Sequence, residues 1–593
     1  MKIVCLIKQV PRADAIEFDP ETKSLRREGV PLLLNPFDAY AVAEGVRLRE
    51  TRGGEVIAMT MGPPQAEEAL RVCLGLGADR CIHLSDRVFA VADTLGTSRT
   101  LALALEKEGC DLVLCGRKTL DSETWQVPPE VAAFLGRPHV TSAIGLEVDG
   151  DRLRVRRETD EGEQTIELTL PAVVSVVRAV QEPSEAQPHD GRIDVWAATD
   201  LVDDLRENDK RFGQTGSPTR VLAVRDVTPE RRRERVDTPT QAVDRIRELL
   251  VERPAGATRW EKPTHLGEEP GASYDCWTLV ETIDGRATRS SFELLAKGRE
   301  LAGKLGGRNV ALVVGSDVER ALAEVSQRGA ELVVVAEHER LREYVPEPWV
   351  AAVRSIVERE RPHVLLIPAT MRGRDLGPRV AGELRLGMTG DCVDLGIDRA
   401  GRLIQHKPAY GGNIVSVIMG ATTPQLATVR PRMFEPLEPR ETPEVERRRI
   451  ELVNMPESQS EITEHVFHDD PPWELDEADV VVGVGAPVGS VDVLTPVTKR
   501  VRAAIGGDRA ACAAGIVPPS RQIGLLGRAV APRLYLAVET GGDFEHLTGT
   551  VKASVIAAVA RERSPMLDAA DIALVGDWRE LVPPLLETLA GVV

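Results

Sequence analysis

Short apolar runs alternate with longer stretches of mixed polarity from the N-terminus onward. KIVCLI (2–7), EVIAMTMG (55–62), CIHL (81–84) and DLVLCG (111–116) are each long enough for one strand. Between them, Asn35-Pro36-Phe37-Asp38 caps a helix running to about Arg49, and PQAEEALRVCLGLG (64–77) and TSRTLALALEKEG (97–109) have helical length and composition. Strands that are apolar throughout, separated by helices, predict a parallel sheet covered on both faces.

The pattern then repeats. RNVALVVG (308–315) answers EVIAMTMG, GAELVVVAE (329–337) answers GADRCIHLS, HVLLIPA (363–369) answers LVLCG, and PRVAGEL (378–384) answers PEVAAFL (129–135). The offsets, 253, 252 and 249 residues, are nearly constant, as a duplicated domain requires. A third α/β unit follows: DVVVGVGAPVG (479–489) and the strand Leu534 to Val538 each run into glycines. The expected fold is therefore α/β, with two duplicated parallel-sheet, nucleotide-binding-like domains in a pseudo-two-fold pair and a C-terminal doubly wound domain. The boundaries read as 1–250 ending in a C-terminal arm, a linker at 251–271, 272–455, a second linker at 456–476, and 477–593, both linkers being rich in Pro, Glu and Ser.

Composition narrows the function. Of 593 residues, 42% are hydrophobic, enough to build real cores. The 74 basic and 93 acidic residues leave a net charge of −19, which argues against a nucleic-acid binder because phosphate contacts need clustered Lys and Arg. No run approaches the ~18 apolar residues of a membrane span, and the apolar core of the N-terminus is too short for a signal peptide, so a cytoplasmic protein that does not span a membrane is expected. The eight cysteines form no CxxC and have no His at metal spacing; several sit in apolar runs as inert thiols, and no metal site is indicated.

Two stretches have the layout of an anion cradle. In 509–549 a Gln-Ile-Gly-Leu-Leu-Gly turn, a strand, the pair Gly541-Gly542 and a helix carrying His546 follow one another. Glycines let backbone approach an anion, and a helix start offers free N–H groups. In 116–136 a strand leads through Asp121, Ser122, Glu123, Thr124 and Gln126 to Val127 and a proline-started helix; these polar groups suit a phosphate or ribose, or simply cap the helix. Asp93-Thr94 is a third polar cluster, best read as a helix cap. Gly483-x-Gly485-x-x-x-Gly489 has the spacing of a dinucleotide turn.

These residues together resemble the electron-transfer flavoproteins, with the β subunit fused ahead of the α subunit. The β resemblance rests on Lys8-Gln9-Val10-Pro11, Asn35-Pro36-Phe37-Asp38, Gly77-Ala78-Asp79-Arg80, Ala92-Asp93-Thr94-Leu95, Leu170-Pro171-Ala172-Val173 and Gly216-Ser217-Pro218-Thr219. The α resemblance rests on Gly373-Arg374-Asp375-Leu376, Pro378-Arg379-Val380-Ala381, Pro408-Ala409-Tyr410-Gly411-Gly412-Asn413 and Ala427-Thr428-Val429-Arg430-Pro431. For the C-terminal unit it rests on Arg509, Gln522, Gly524, Gly527, Arg528, Pro532, Leu534, Tyr535, Ala537, Gly542, His546 and Gly549.

The resemblance implies an FAD-dependent electron carrier. It makes the C-terminal unit the FAD domain, with Arg509, Gln522, Gly524, Leu526, Gly527, Gly541, Gly542, His546 and Asp577 as cofactor-binding positions. Within that set Arg509 is expected over the isoalloxazine, stabilising its anionic reduced form, His546 at the flavin O2 edge and Asp577 at the adenosine end. In the β half it implies AMP or a second FAD held by Leu6, Asn35, Asp121, Ser122, Glu123, Thr124, Gln126 and Val127. The implied donor is a flavin dehydrogenase of the acyl-CoA dehydrogenase type, as in fatty acid β-oxidation, docking near Gly213 to Pro218. The implied acceptor is of the electron-transfer flavoprotein:quinone oxidoreductase type.

Two alternatives accompany this: an NADH-oxidising bifurcating member with two FADs, and a redox-silent nucleotide-binding scaffold or regulatory paralogue. The second is favoured by departures from the family pattern. An arginine is replaced by Ala486, a threonine by Leu526, a serine by Gly541 and an asparagine by Ala560, while Glu539 and Asp543 bring carboxylates to the phosphate turn.

Overall fold

Residue by residue, the two halves build sheets of the same strand order. In the computed structural model, which describes residues 1–593 apart from 13–16, 20–23, 27–28, 178–182, 188, 227–230, 254–273, 410–413, 442–443, 469–472 and 590–593, the first sheet begins Arg192–Trp196, Arg80–Leu84, Glu55–Met61, Lys2–Leu6, Leu112–Gly116, Ala172–Val176, His139–Asp149, all parallel. The second reads Glu446–Arg449, Leu332–Glu337, Asn309–Gly315, Cys276–Val280, Val364–Pro368, Gln425–Val429, Met388–Cys392, again all parallel. The central strands Lys2–Leu6 and Cys276–Val280 are buried along nearly their whole length because helices cover both faces. The duplication expected from the sequence offsets is thus a duplication of topology.

The halves also trade strands. Beyond His139–Asp149 the first sheet turns antiparallel through Arg152–Glu158 and Gly162–Thr169, and its last strand, Ser460–Phe467, comes from the second half. In return Thr219–Asp226 of the first half adds to Ile414–Gly420, Leu403–Ala409 and Asp394–Ile397 of the second. Ser460–Phe467 lies inside the stretch read as the linker 456–476; its local composition is that of a linker, but a long partner edge satisfies its backbone. The linker expected at 251–271 lies outside the described residues from 254 onward.

Helices Val127–Leu135 and Met371–Leu384, equivalent in the two halves, pack on each other. Gly382 permits the approach, since a Cβ there would come 2.8 Å from that of Ala133. Beside this contact Asp375 of the second half, fully buried, accepts from His139, from Thr141 at 2.9 Å and from Arg157 at 3.2 Å, all of the first.

The C-terminal lobe is a parallel sheet in the order Ile572–Val575, Val555–Ala560, Leu534–Val538, Val480–Val484, Ala504–Gly507. An arm of the first half completes it. Glu234–Arg235 pairs with Ile572–Val575, and helix Pro239–Glu252 buries Ala242, Val243, Ile246, Leu249 and Leu250, one face of a 3.6-residue repeat, in the lobe's core. Asp571, fully buried, pins the arm through Arg231 at 3.0 Å and Arg253 at 3.3 Å. No helix among the described residues is long and apolar enough to cross a membrane.

Candidate functional site

The three units meet at a cleft of about 220 Å³. Parallel strands present their C-terminal ends on one edge, and residues immediately after them project into whatever lies beyond. Arg117 follows Leu112–Gly116 and Arg430 follows Gln425–Val429; both line the cleft. Arg374, one turn into helix Met371–Leu384, lines it too, and the C-terminal lobe adds Arg509, Gln522, Leu526, Gly527, Arg528 and Lys552.

The loop 117–126 forms one wall. Ten residues connect strand to helix here, whereas only 369–370 separate Val364–Pro368 from Met371–Leu384 in the second half, so this loop is what distinguishes the two copies. Asn35, fully buried, holds it by donating to the Lys118 carbonyl at 3.0 Å and accepting from the Leu120 amide at 3.3 Å. Asp121 pairs with Lys8 at 2.5 Å, and Thr119 contacts Ser122 at 2.9 Å. Glu123 pairs with Lys118 at 3.0 Å and lies 3.6 Å from Arg430. Gln126 bridges the halves, accepting from Thr94 at 2.5 Å and donating to the Met388 carbonyl at 3.2 Å. Asp93 caps helix Thr94–Glu108 through the Gly96 amide. Leu6 is buried at the end of its strand, and Val127 opens the helix beyond the loop, next to the half-buried Thr124.

On the C-terminal lobe the expected residues divide. Arg509, Gln522, Leu526 and Gly527 reach the cleft. Arg509 opens helix Arg509–Ala513, keeps 58% of its side chain exposed and lies 3.7 Å from Glu545. Gly524, Gly541, Gly542, His546 and Asp577 are not among the residues lining the cleft. His546 turns inward: the Tyr535 hydroxyl is 2.8 Å from its Nε2 and the Ile523 carbonyl 3.3 Å from its Nδ1, and burial pushes its pKa down. Asp577 sits half-exposed beside Arg561 at 3.3 Å, after the strand Ile572–Val575.

Two glycines of the dinucleotide-like turn make room for the lobe itself. A Cβ on Gly483 would come 1.7 Å from the Tyr535 hydroxyl, and one on Gly485 2.0 Å from the Glu539 carbonyl. The two acids at the next turn are also engaged: Glu539 accepts from the Arg561 amide at 3.1 Å, and Asp543 caps helix Phe544–Thr548 through the His546 amide at 2.8 Å.

The cleft is cationic in a strongly acidic chain. Arg117, Lys118, Arg374, Arg430, Arg509, Arg528 and Lys552 line it against only Glu123, Glu158, Asp391 and Asp476. Burial would raise the Asp391 carboxyl, but Arg374, Arg430 and Lys407 overcome it and hold that group well below the usual carboxylate range. Glu123 is held down likewise by Lys118, Arg430 and Lys407 against its burial. Asp476 is pushed up by burial, with Arg528 opposing. Burial, and then Arg430, push Lys552 down. Glu123, Asp391 and Asp476 each pair with arginine or lysine, and the lining keeps more cations than acids, an arrangement that attracts a phosphate-bearing ligand.

The description "Electron transfer flavoprotein domain" matches residues 22–201 and 276–457, more than half of the chain. The chain belongs to this family. Residues 474–551 match "Electron transfer flavoprotein FAD-binding domain". Residues of the chain are 40% identical over 235 positions to the electron transfer flavoprotein subunit beta of Thermoanaerobacterium thermosaccharolyticum, covering 39% of this chain and 90% of that protein. Another 321 positions are 35% identical to the subunit alpha of Clostridium acetobutylicum, covering 52% of this chain and 95% of that protein. The caffeyl-CoA reductase-Etf complex subunit CarD of Acetobacterium woodii is 38% identical over 230 positions, 37% of this chain and 86% of that one. Beta and alpha relatives align to different parts of the chain, as in a fusion.

The residues present fit FAD. The flavoprotein cleft combines surplus cations with an apolar lining of Phe37, Tyr40, Val177, Leu526 and Val530, and one buried donor of its lining, Trp125 Nε1, has no hydrogen-bond partner among the described residues. A dinucleotide offers acceptors for both kinds of group. Sequence reasoning assigned no role to Arg117, Lys118, Arg374, Arg430 or Lys552. A signal existed for two of them, a cation directly after a parallel strand, but the convergence of all five needed the docking of three units.

Proposed function

We propose that this flavoprotein is an FAD-dependent electron carrier of the cytoplasm, taking electrons from a flavin dehydrogenase of the acyl-CoA dehydrogenase type and passing them to a quinone-linked acceptor. The observation that carries the reading is the cationic cleft where all three units meet, in a chain whose net charge is −19. Bound FAD supplies reversible electron storage, and the protein supplies its orientation and electrostatics.

In this reading Arg117, Arg374, Arg430 and Lys552 set a positive potential that favours the charged reduced cofactor and its phosphates, while Gln522 and Gly527 offer polar and backbone groups at the cleft wall. Arg509, 58% exposed and 3.7 Å from Glu545, is the most solvent-exposed cation whose pairing a change of charge there would alter. Phe37, Tyr40 and Val177 keep water from that wall, which strengthens each of these interactions.

The loop 121–127, with Leu6 and Asn35 behind it, is proposed to hold the second nucleotide, AMP or a further FAD. Its length relative to the second half supports a ligand on this copy alone.

Purified protein with absorbance bands at about 370 and 450 nm supports the carrier. The ratio of FAD to chain after acid release then distinguishes AMP from a second FAD in the loop. Colourless protein that binds only AMP refutes electron carriage and leaves a nucleotide-binding scaffold.

A further inference from the structure

Trp125 is the residue that the cleft's chemistry leaves unexplained. It lies in the loop 117–126 of the first half, yet it lines the same cleft as Arg509, Gln522 and Leu526 of the C-terminal lobe. No other tryptophan lines that cleft among the described residues.

Its backbone adopts φ +64°, a left-handed conformation that bulky side chains rarely take. The side chain is held tightly: the guanidinium of Arg117 lies 4.7 Å and that of Arg374 4.5 Å from the indole ring centroid, with the Lys118 ammonium at 5.6 Å. Residues on either side are anchored as well, Glu123 by the Lys407 ammonium on its carbonyl at 3.1 Å and Gln126 by the Met388 carbonyl at 3.2 Å. An indole fixed this firmly in a strained backbone has one polar atom, Nε1. That N–H is buried and has no acceptor among the described residues. Leaving it so costs free energy, which an acceptor arriving with a ligand returns.

We propose that Trp125 is a flavin-positioning residue contributed by the first half, donating its indole N–H to an acceptor atom of the flavin ring system held by the C-terminal lobe. This rests on the FAD reading above and adds to it a contact between units. A planar heteroaromatic with carbonyl and ring-nitrogen acceptors suits a rigid donor in a cleft that Phe37 and Leu526 also line.

The test uses the full chain with W125F, which keeps an aromatic ring and loses the donor, and W125H, which keeps an N–H. Binding of FAD to the unsubstituted protein, read at about 450 nm, decides the underlying reading by itself. Given that binding, W125F is expected to weaken FAD about fivefold and to raise flavin emission severalfold, because an adjacent indole quenches an excited flavin by brief electron donation. W125H is expected to keep the affinity while also brightening the emission. Unchanged affinity and emission in W125F, with FAD still bound, overturn the inference; equal loss of affinity in both variants assigns Trp125 a packing role and overturns it too. Where the variants fail to fold, the picosecond emission decay of the unsubstituted protein decides, a fast component supporting the contact and its absence refuting it.

Discussion

Replacing Arg117 by alanine tests how the C-terminal lobe is held against the first half. Arg117 is 6% exposed, and its guanidinium donates across the cleft to the Leu526 carbonyl at 3.0 Å and the Gly527 carbonyl at 3.1 Å. It also lies 5.1 Å from the Phe37 ring centroid. A hydrogen bond from a charged donor contributes about 1.5–3 kcal/mol, but the freed carbonyls stand at a cleft and regain water, so the lower end applies to each. The pair then contributes about 2–4 kcal/mol to docking, a shift of roughly 30- to 700-fold in the docked-to-released ratio. The lobe's own fold should survive, because the arm anchored at Asp571 lies on its far edge. Small-angle scattering should show a larger radius of gyration, and amide exchange should rise in 117–126 and 522–528 while the melting transition of the lobe stays put. If scattering and exchange match the unsubstituted protein, the small apolar contact of Val10, Phe37, Leu120 and Leu525 holds the lobe, and the guanidinium reasoning fails.

Other outcomes follow from the same structure. Asp571→Asn leaves Arg231 and Arg253 facing a neutral group in the core and should cost about 3–5 kcal/mol of lobe stability in urea unfolding. Burial raises the Asp571 carboxyl, but the Ile556 amide and Arg231 outweigh it and hold it below its usual range. Its stabilisation is therefore complete above the unfolded carboxylate pKa of about 3.9 and is lost as pH falls through the lower folded value. Glu281 behaves in the opposite sense: burial lifts it to about 7, against Arg372 and Thr370, so its contribution is present below about 4.5 and is lost as pH rises through 7. That shift corresponds to about 3 kcal/mol, and Glu281→Gln should melt higher than the unsubstituted protein at pH 8 but not at pH 4, as read by calorimetry. Gly542→Ala places a Cβ 2.2 Å from the Met566 amide nitrogen at φ +70°, and should abolish FAD content by destabilising the lobe, measured by absorbance and by the melting temperature.

Much of the architecture is written in local pattern. Apolar runs such as VALVV within Asn309–Gly315 become buried parallel strands because hydrophobicity on both faces leaves them no other stable place, and the repeat at near-constant offset carries over into identical strand order. The helix starts at Asn35-Pro36 and Asp93-Thr94 were equally legible, but only Asp93 caps with its side chain, whereas the Asn35 amide is engaged by the distant loop 117–126. The glycine turns were legible as turns, but not for what fills the space beside them, which at Gly483 is the ring of Tyr535.

What the sequence by itself determined is the set of three α/β units and their family. The exchange of Ser460–Phe467 for Thr219–Asp226, the arm of 234–252 in a lobe more than two hundred residues away, and the inward turn of His546 were decided by tertiary structure alone. The cationic cleft belongs with these: Arg117, Arg374, Arg430 and Lys552 lie on different elements, and their shared potential exists only once those elements dock. Pattern along a chain records which face each residue must bury, whereas long-range pairing and summed charge depend on distances that only the folded chain possesses.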